Sequence, residues 1–139
     1  MGAAILYRGR LLLLRRTRDG GFGSGRWELP GGSVHVGESP YEALRREVSE
    51  ETGLRFRNAA PFEASIFVVR RRGRAPLPVV AVRFLAHAEP PALPRLSPDE
   101  HLEYLWVGPS DRLPRPLLPG VGELVRKAFA LARSSVHWR

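Results

Sequence analysis

The chain has 139 residues, enough for one domain and short for two. Hydrophobic residues at 43% against 26% charged exclude wholesale disorder, and the absence of cysteine excludes disulfides, thiolate metal sites and cysteine nucleophiles. Twenty-two basic residues, all arginine except Lys127, outweigh fourteen acidic ones for a net charge of +8. That balance suits phosphate-bearing partners, although a genome rich in arginine codons would produce the same bias.

Residues 3–17 read as two strands turning at Arg8-Gly9-Arg10. Residues 18–37 hold seven glycines and little periodicity, which predicts a long loop, ordered by Trp27, Leu29 and Pro30. Residues 40–52 carry the punctuation of a helix: Ser39 and Glu42 form a capping box, Pro40 takes the first turn, and Gly53 stops it. Residues 62–72 and 78–88 predict a long hairpin with a proline-bearing connection. A short strand over 102–107, a connector with four prolines over 108–119 and a closing helix over 120–133 follow, with a frayed tail. This order predicts one α/β (α+β) domain, 1–139, with helices packed against a mixed sheet. The longest aliphatic run, Leu11 to Leu14, is far too short for a membrane helix, and no signal-peptide cleavage site follows it. The expectation is a cytoplasmic protein, a monomer or homodimer, without membrane partners.

Five of the fourteen acids (Glu38, Glu42, Glu47, Glu50 and Glu51) fall within fourteen consecutive positions. On a helix, Glu47, Glu50 and Glu51 span an arc of about 100°, beside a face carrying Tyr41, Leu44 and Val48. Like charges three and four apart oppose helix formation by a few tenths of a kcal/mol per pair. Such a stripe serves folding poorly, but it suits a hard divalent cation, which takes oxygen ligands and bridges phosphates. A solvated acidic face balanced by Arg45 and Arg46 is the competing reading.

The preceding segment decides between them. Gly32, five residues, Glu38, seven residues, then Arg46-Glu47-Val48-Ser49-Glu50-Glu51-Thr52-Gly53-Leu54 make a complete match to the pattern of the Nudix box. The chain therefore resembles the Nudix hydrolase family. The resemblance implies an αβα sandwich around a mixed sheet and hydrolysis of a nucleoside diphosphate linked to some moiety, with Mg2+ or Mn2+. It makes Glu47, Glu50 and Glu51 the metal ligands, with a backbone carbonyl at Gly31 or Gly32 completing the shell. Arg46 would pair with Glu38 or Glu47, holding the loop and the carboxylates in place. The general base would lie in the box or among Asp99, Glu100 and Glu103; Glu100, six residues before Trp106, is the choice here. Arg15, Arg16 and Arg18 are candidates for a phosphate contact, and Phe22 and Trp27 for stacking a base, with packing of the loop onto the core the competing and favoured reading of Trp27. The four histidines, His35, His87, His101 and His137, show no ligand spacing.

The marks that separate substrates within the family are largely missing. Val69 and Arg70 stand where ADP-sugar hydrolases often carry proline, and no tyrosine of the dinucleoside polyphosphate type is nearby. The NADH-type signature is absent, and Pro119-Gly120-Val121-Gly122 offers no amide to read an oxidised purine. A pyrophosphohydrolase of free (d)NTPs or related nucleotides remains by elimination. The alternatives are hydrolysis at an RNA 5′ end and a nucleotide- or RNA-binding module without turnover. Nucleic acid is disfavoured as a partner because the arginines fall in separate short clusters without a recognised RNA-binding motif.

Overall fold

Four consecutive leucines, Leu11 to Leu14, are all fully buried, which a helix or a half-exposed strand would not allow. The reason is a sheet covered on both faces. The computed structural model describes residues 1–19 and 21–134. Strand β1 (Gly2–Tyr7) turns into β2 (Arg10–Arg16), and β3 (Trp27–Glu28) pairs antiparallel with β2. After helix α1 (Pro40–Thr52), strands β4 (Phe56–Val69) and β5 (Leu77–Ala88) form an antiparallel hairpin, and β5 lies parallel to β1. Strand β6 (His101–Val107) pairs with β2, and helix α2 (Val121–Ser134) closes the described chain. The order β3-β2-β1-β5-β4, with β6 also on β2, is a mixed sheet.

Successive side chains of a strand point to opposite faces. Leu11 and Leu13 therefore pack under α2 with Val121, Val125 and Phe129, while Leu12 and Leu14 pack under α1 with Leu44 and Val48. Burying each leucine is worth about 2 kcal/mol, and both helices are fixed by the same run of residues. The result is the expected αβα sandwich.

Helix α1 has the expected bounds. The Ser39 hydroxyl accepts from the Glu42 N–H (3.1 Å), and the Glu42 carboxylate accepts from the Ser39 N–H (3.0 Å). Gly53 ends the helix at φ 68°, a left-handed conformation that favours glycine. Two strands depart from expectation. The loop over 18–37 contains β3, whose two residues show no periodicity, and β4 starts at Phe56 rather than near residue 62. The stretch Arg57-Asn58-Ala59-Ala60-Pro61 reads as a turn, but two bulges and the outer edge of the sheet accommodate it. The predicted frayed tail lies, from residue 135 on, outside the described residues.

Candidate metal centre

The segment Pro30–Gly32 runs alongside the start of β1: the Pro30 carbonyl accepts from Ala3 (2.8 Å), and the Gly32 N–H donates to Met1 (3.0 Å). The Gly32 carbonyl accepts from the Met1 amino group at 2.7 Å. Across from this segment stands the acidic face of α1. The Glu47 carboxylate fills the space over Gly32, where an added Cβ would come within 2.4 Å of it. A side chain there would displace the carboxylate, so the glycine is what lets Glu47 sit over this segment.

Arg46 organises the exposed side. Its guanidinium forks onto Glu38 at 2.7 and 2.9 Å and donates to Glu47 at 3.0 Å, Glu50 at 3.3 Å and the Ser33 carbonyl at 3.0 Å. Planar bidentate pairing fixes direction as well as distance. The Arg46 bonds, with the His35 N–H, hold the Glu38 carboxyl at about 2, well below its usual range. The same bonds raise the Arg46 pKa further. Loop and helix are thus clamped by one side chain.

Glu51 lies on the opposite flank of the stripe. It occupies a helix position that continues the buried Leu44 and Val48 row, and it is only 4% exposed. The Gly31 N–H donates to it, 3.1 Å from Oε2. Burial, reinforced by repulsion from Glu28, Glu47 and Glu100, pushes its carboxyl up to about 9. Glu51, Glu100 and His101 each offer a ligand atom, and these atoms lie within 4.8 Å of one another. Glu100 comes from the turn before β6, tied to β2 by its carbonyl, which accepts from Thr17 at 3.0 Å. The oxygen-rich donor set and the buried, scarcely compensated Glu51 carboxyl fit a hard divalent cation.

The structure brings together Glu47, Glu50, Glu51, Glu100, Arg46, Glu38, Gly31 and Gly32. Arg16 is turned onto Glu28 (3.1 and 3.3 Å). Arg18 is exposed in the loop, its stem beside Gly25, and Phe22 is 85% exposed. Trp27 corrects the expectation of base stacking. It is only 6% exposed and packs in the core under α2, on the face of the sheet away from the carboxylates. Its backbone straps the proline-rich connector, donating to Pro116 (2.8 Å) and accepting from Leu118 (2.9 Å). His101 is the residue that sequence spacing missed. Its side chain packs beside Glu28, 73 positions away in the chain, so no local spacing could reveal it. A cavity of about 690 Å³ opens at the other end of β1, beside Tyr7, His87 and Phe129, and no box carboxylate lines it.

A single mixed sheet covered on both faces carries a loop–helix–loop whose carboxylates are clamped by one arginine. The comparisons agree: the NUDIX domain model matches residues 2–128, and the chain belongs to that family. The MutT NUDIX hydrolase of Burkholderia pseudomallei superposes with a TM-score of 0.75 at 33% identity, covering 91% of this chain and 93% of that one. An octanoyltransferase of Myxococcus xanthus is 34% identical over 127 residues, 86% of this chain and 32% of that protein. The oxidized purine nucleoside triphosphate hydrolase of Danio rerio is 46% identical over 50 residues, 36% of this chain and 31% of that protein. The chain spans about a third of the length of the curated relatives it matches. Among the described residues, no helix is long and apolar enough to cross a membrane.

Proposed function

We propose that this chain, acting as a single Nudix domain over 1–139, hydrolyses a phosphoanhydride bond in free (d)NTPs or related nucleoside diphosphate derivatives with Mg2+ or Mn2+. The observation that carries the reading is Glu51, a carboxylate placed 4% exposed at a core position of α1 among other carboxylates. Burying such a group with one backbone N–H and no opposite charge opposes folding, and a cation supplies that charge. The nucleotide hydrolase names among the relatives support the substrate class.

In this reading Glu47, Glu50, Glu51 and Glu100 would hold the ion, with the Gly31 carbonyl beside them. Bound there, the ion would neutralise phosphate oxygens and acidify water. The reaction forms a bond from the water oxygen to phosphorus and breaks the bridging P–O bond. The Glu100 carboxylate, exposed at the rim, takes the proton from the water. Arg46 and Glu38 touch no substrate; they keep the Glu47 carboxylate over Gly32. Arg18 and Phe22, on the 18–26 loop, are the residues available to meet phosphate and base. The test is a nucleotide panel with Mg2+ or Mn2+, read by phosphate and pyrophosphate release. EDTA should abolish turnover and added metal restore it. Undiminished turnover in metal-free buffer would sink the reading.

A further inference from the structure

His101 is the buried polar group for which the proposed roles leave no task. Its side chain is 2% exposed, and Nε2 lies 3.0 Å from Glu28 Oε1. A carboxylate accepts, so Nε2 carries the hydrogen. Nδ1 is buried with no hydrogen-bond partner. A buried nitrogen left unsatisfied opposes folding, and a ligand at Nδ1 would remove that penalty. A ring nitrogen of His101 and a carboxylate oxygen from each of Glu51 and Glu100 lie within 4.8 Å of one another, and with Nε2 already on Glu28 the nitrogen left for a cation is Nδ1. Three donors around one ion at about 2.1 Å stand about 3.0–3.6 Å apart in cis or trigonal positions, so closing on a cation requires shifts of up to about an ångström. Arg16 in turn holds Glu28 at 3.1 Å, and the chain Arg16–Glu28–His101 fixes the ring as carboxylate–histidine pairs do around metals.

We propose that His101 supplies a nitrogen ligand, through Nδ1, to the cation held by Glu51 and Glu100, and that this donor shifts the centre from Mg2+ toward transition-metal dications. The inference rests on the cation-dependent reading above. Imidazole suits first-row transition metals, whereas Mg2+ takes oxygen ligands and waters. Arg16 and Glu28 then act as positioning residues, not as substrate contacts.

The experiment loads the full chain with Mn2+ alone, counts bound ion by electron paramagnetic resonance, and records electron spin echo modulation from directly bound nitrogen. Bound Mn2+ should show 14N modulation that disappears on labelling with 15N-histidine and in His101→Gln. His101→Gln should also weaken Mn2+ about tenfold while moving Mg2+ affinity less than about twofold, with Glu28→Gln intermediate. The isotope arm leaves the fold untouched, so a poorly folding variant does not decide the outcome. Bound Mn2+ without nitrogen modulation, or modulation surviving in His101→Gln, overturns this inference and leaves the hydrolase reading standing. No bound Mn2+ in the wild-type chain overturns both.

Discussion

Helix α1 and the outer half of the β4–β5 hairpin treat polarity in opposite ways. On α1, a carboxylate occupies a position in the core row and is nearly as buried as Val48 a turn away. On the hairpin, Ile66, Val68 and Val80 are exposed although their residue types belong in a core. The first pairing of β5 with β1 joins Arg83 to Gly2, so residues 77–82 and their β4 partners extend past the sheet with no third strand beside them among the described residues. Each departure from ordinary patterning has a different remedy. Glu51 needs an opposite charge at a defined point; the hairpin needs no more than its own ladder and cross-strand pairs such as Ile66 and Val80. The contrast predicts that chemistry is sensitive to single atoms on α1 and insensitive to the hairpin.

The largest effect should follow neutralising the stripe. Glu50→Gln and Glu51→Gln each remove an anionic ligand for a hard cation and should lower turnover by orders of magnitude. Thermal melts should show the fold intact, because glutamine keeps the shape of the side chain and, at position 50, relieves like-charge repulsion along the helix. If the variants unfold while the folded fraction keeps its specific activity, the carboxylates are structural and the contrast collapses.

The second effect is a pH dependence with a definite sign. In the metal-free protein Glu51 titrates near 9, above its unfolded value near 4.5. Between those values the native state keeps a proton that the unfolded chain has released. Stability is therefore full below about pH 4.5 and declines as pH rises toward 9, by at most about 1.4 kcal/mol per unit. Denaturant melts from pH 5 to 9 should show this slope in the wild type and a flatter one in Glu51→Gln. Adding Mg2+ at pH 8 should stabilise the wild type more than the variant, because the cation takes the proton's place. Parallel slopes in both proteins would show that Glu51 has an internal partner.

Gly32→Ala comes next. Its Cβ would meet the Glu47 carboxyl at 2.4 Å, so the carboxylate must move and Arg46 loses its alignment. Turnover should fall by about tenfold or more, with a loss of stability of about 1 kcal/mol, read by steady-state kinetics beside a melt. Normal kinetics would mean that the placement of Glu47 over Gly32 has no catalytic weight.

The two regions also differ in how much of them was legible beforehand. Helix α1 and its carboxylates are visible in the chain because their determinants are local: Ser39 and Glu42 are three apart, and Glu47, Glu50 and Glu51 share a turn. The clamp of Arg46 on Glu38 was legible for the same reason, through family spacing. The parts that escaped depend on distant partners. His101 gains meaning only beside Glu28 and Glu51, and Arg16 is held by Glu28 after a long loop returns to β2. Trp27 sits on the α2 side because strand alternation places it opposite Glu28, a fact invisible until β3 is known to be a strand. Bulges hid the first residues of β4.

The smallest effect should come from the hairpin tip, where Arg70, Arg71, Arg72 and Arg74 carry half of the net charge of +8. Arg71 caps the turn by donating to the Ala75 carbonyl at 2.8 and 3.1 Å, a role that involves no ligand. Residues 70–76 lie six or more positions beyond the pair Gly2–Arg83, roughly 20 Å along an extended arm, and exposed charges at that range are screened at physiological salt. Replacing all four arginines by serine should therefore change kcat/KM for a free triphosphate by less than about threefold and stability by less than about 1 kcal/mol. A 5′-triphosphorylated RNA offers the sharper comparison. A polymer long enough to touch the tip would release counterions there, so its log affinity would fall steeply with log salt, and the substitutions would flatten that slope. The expected result is weak RNA binding with a shallow slope that the substitutions leave in place. A strong RNA preference lost with the arginines would make the arm a binding surface after all, and its exposed Ile66 and Val80 would then be part of a site that the carboxylates alone do not define.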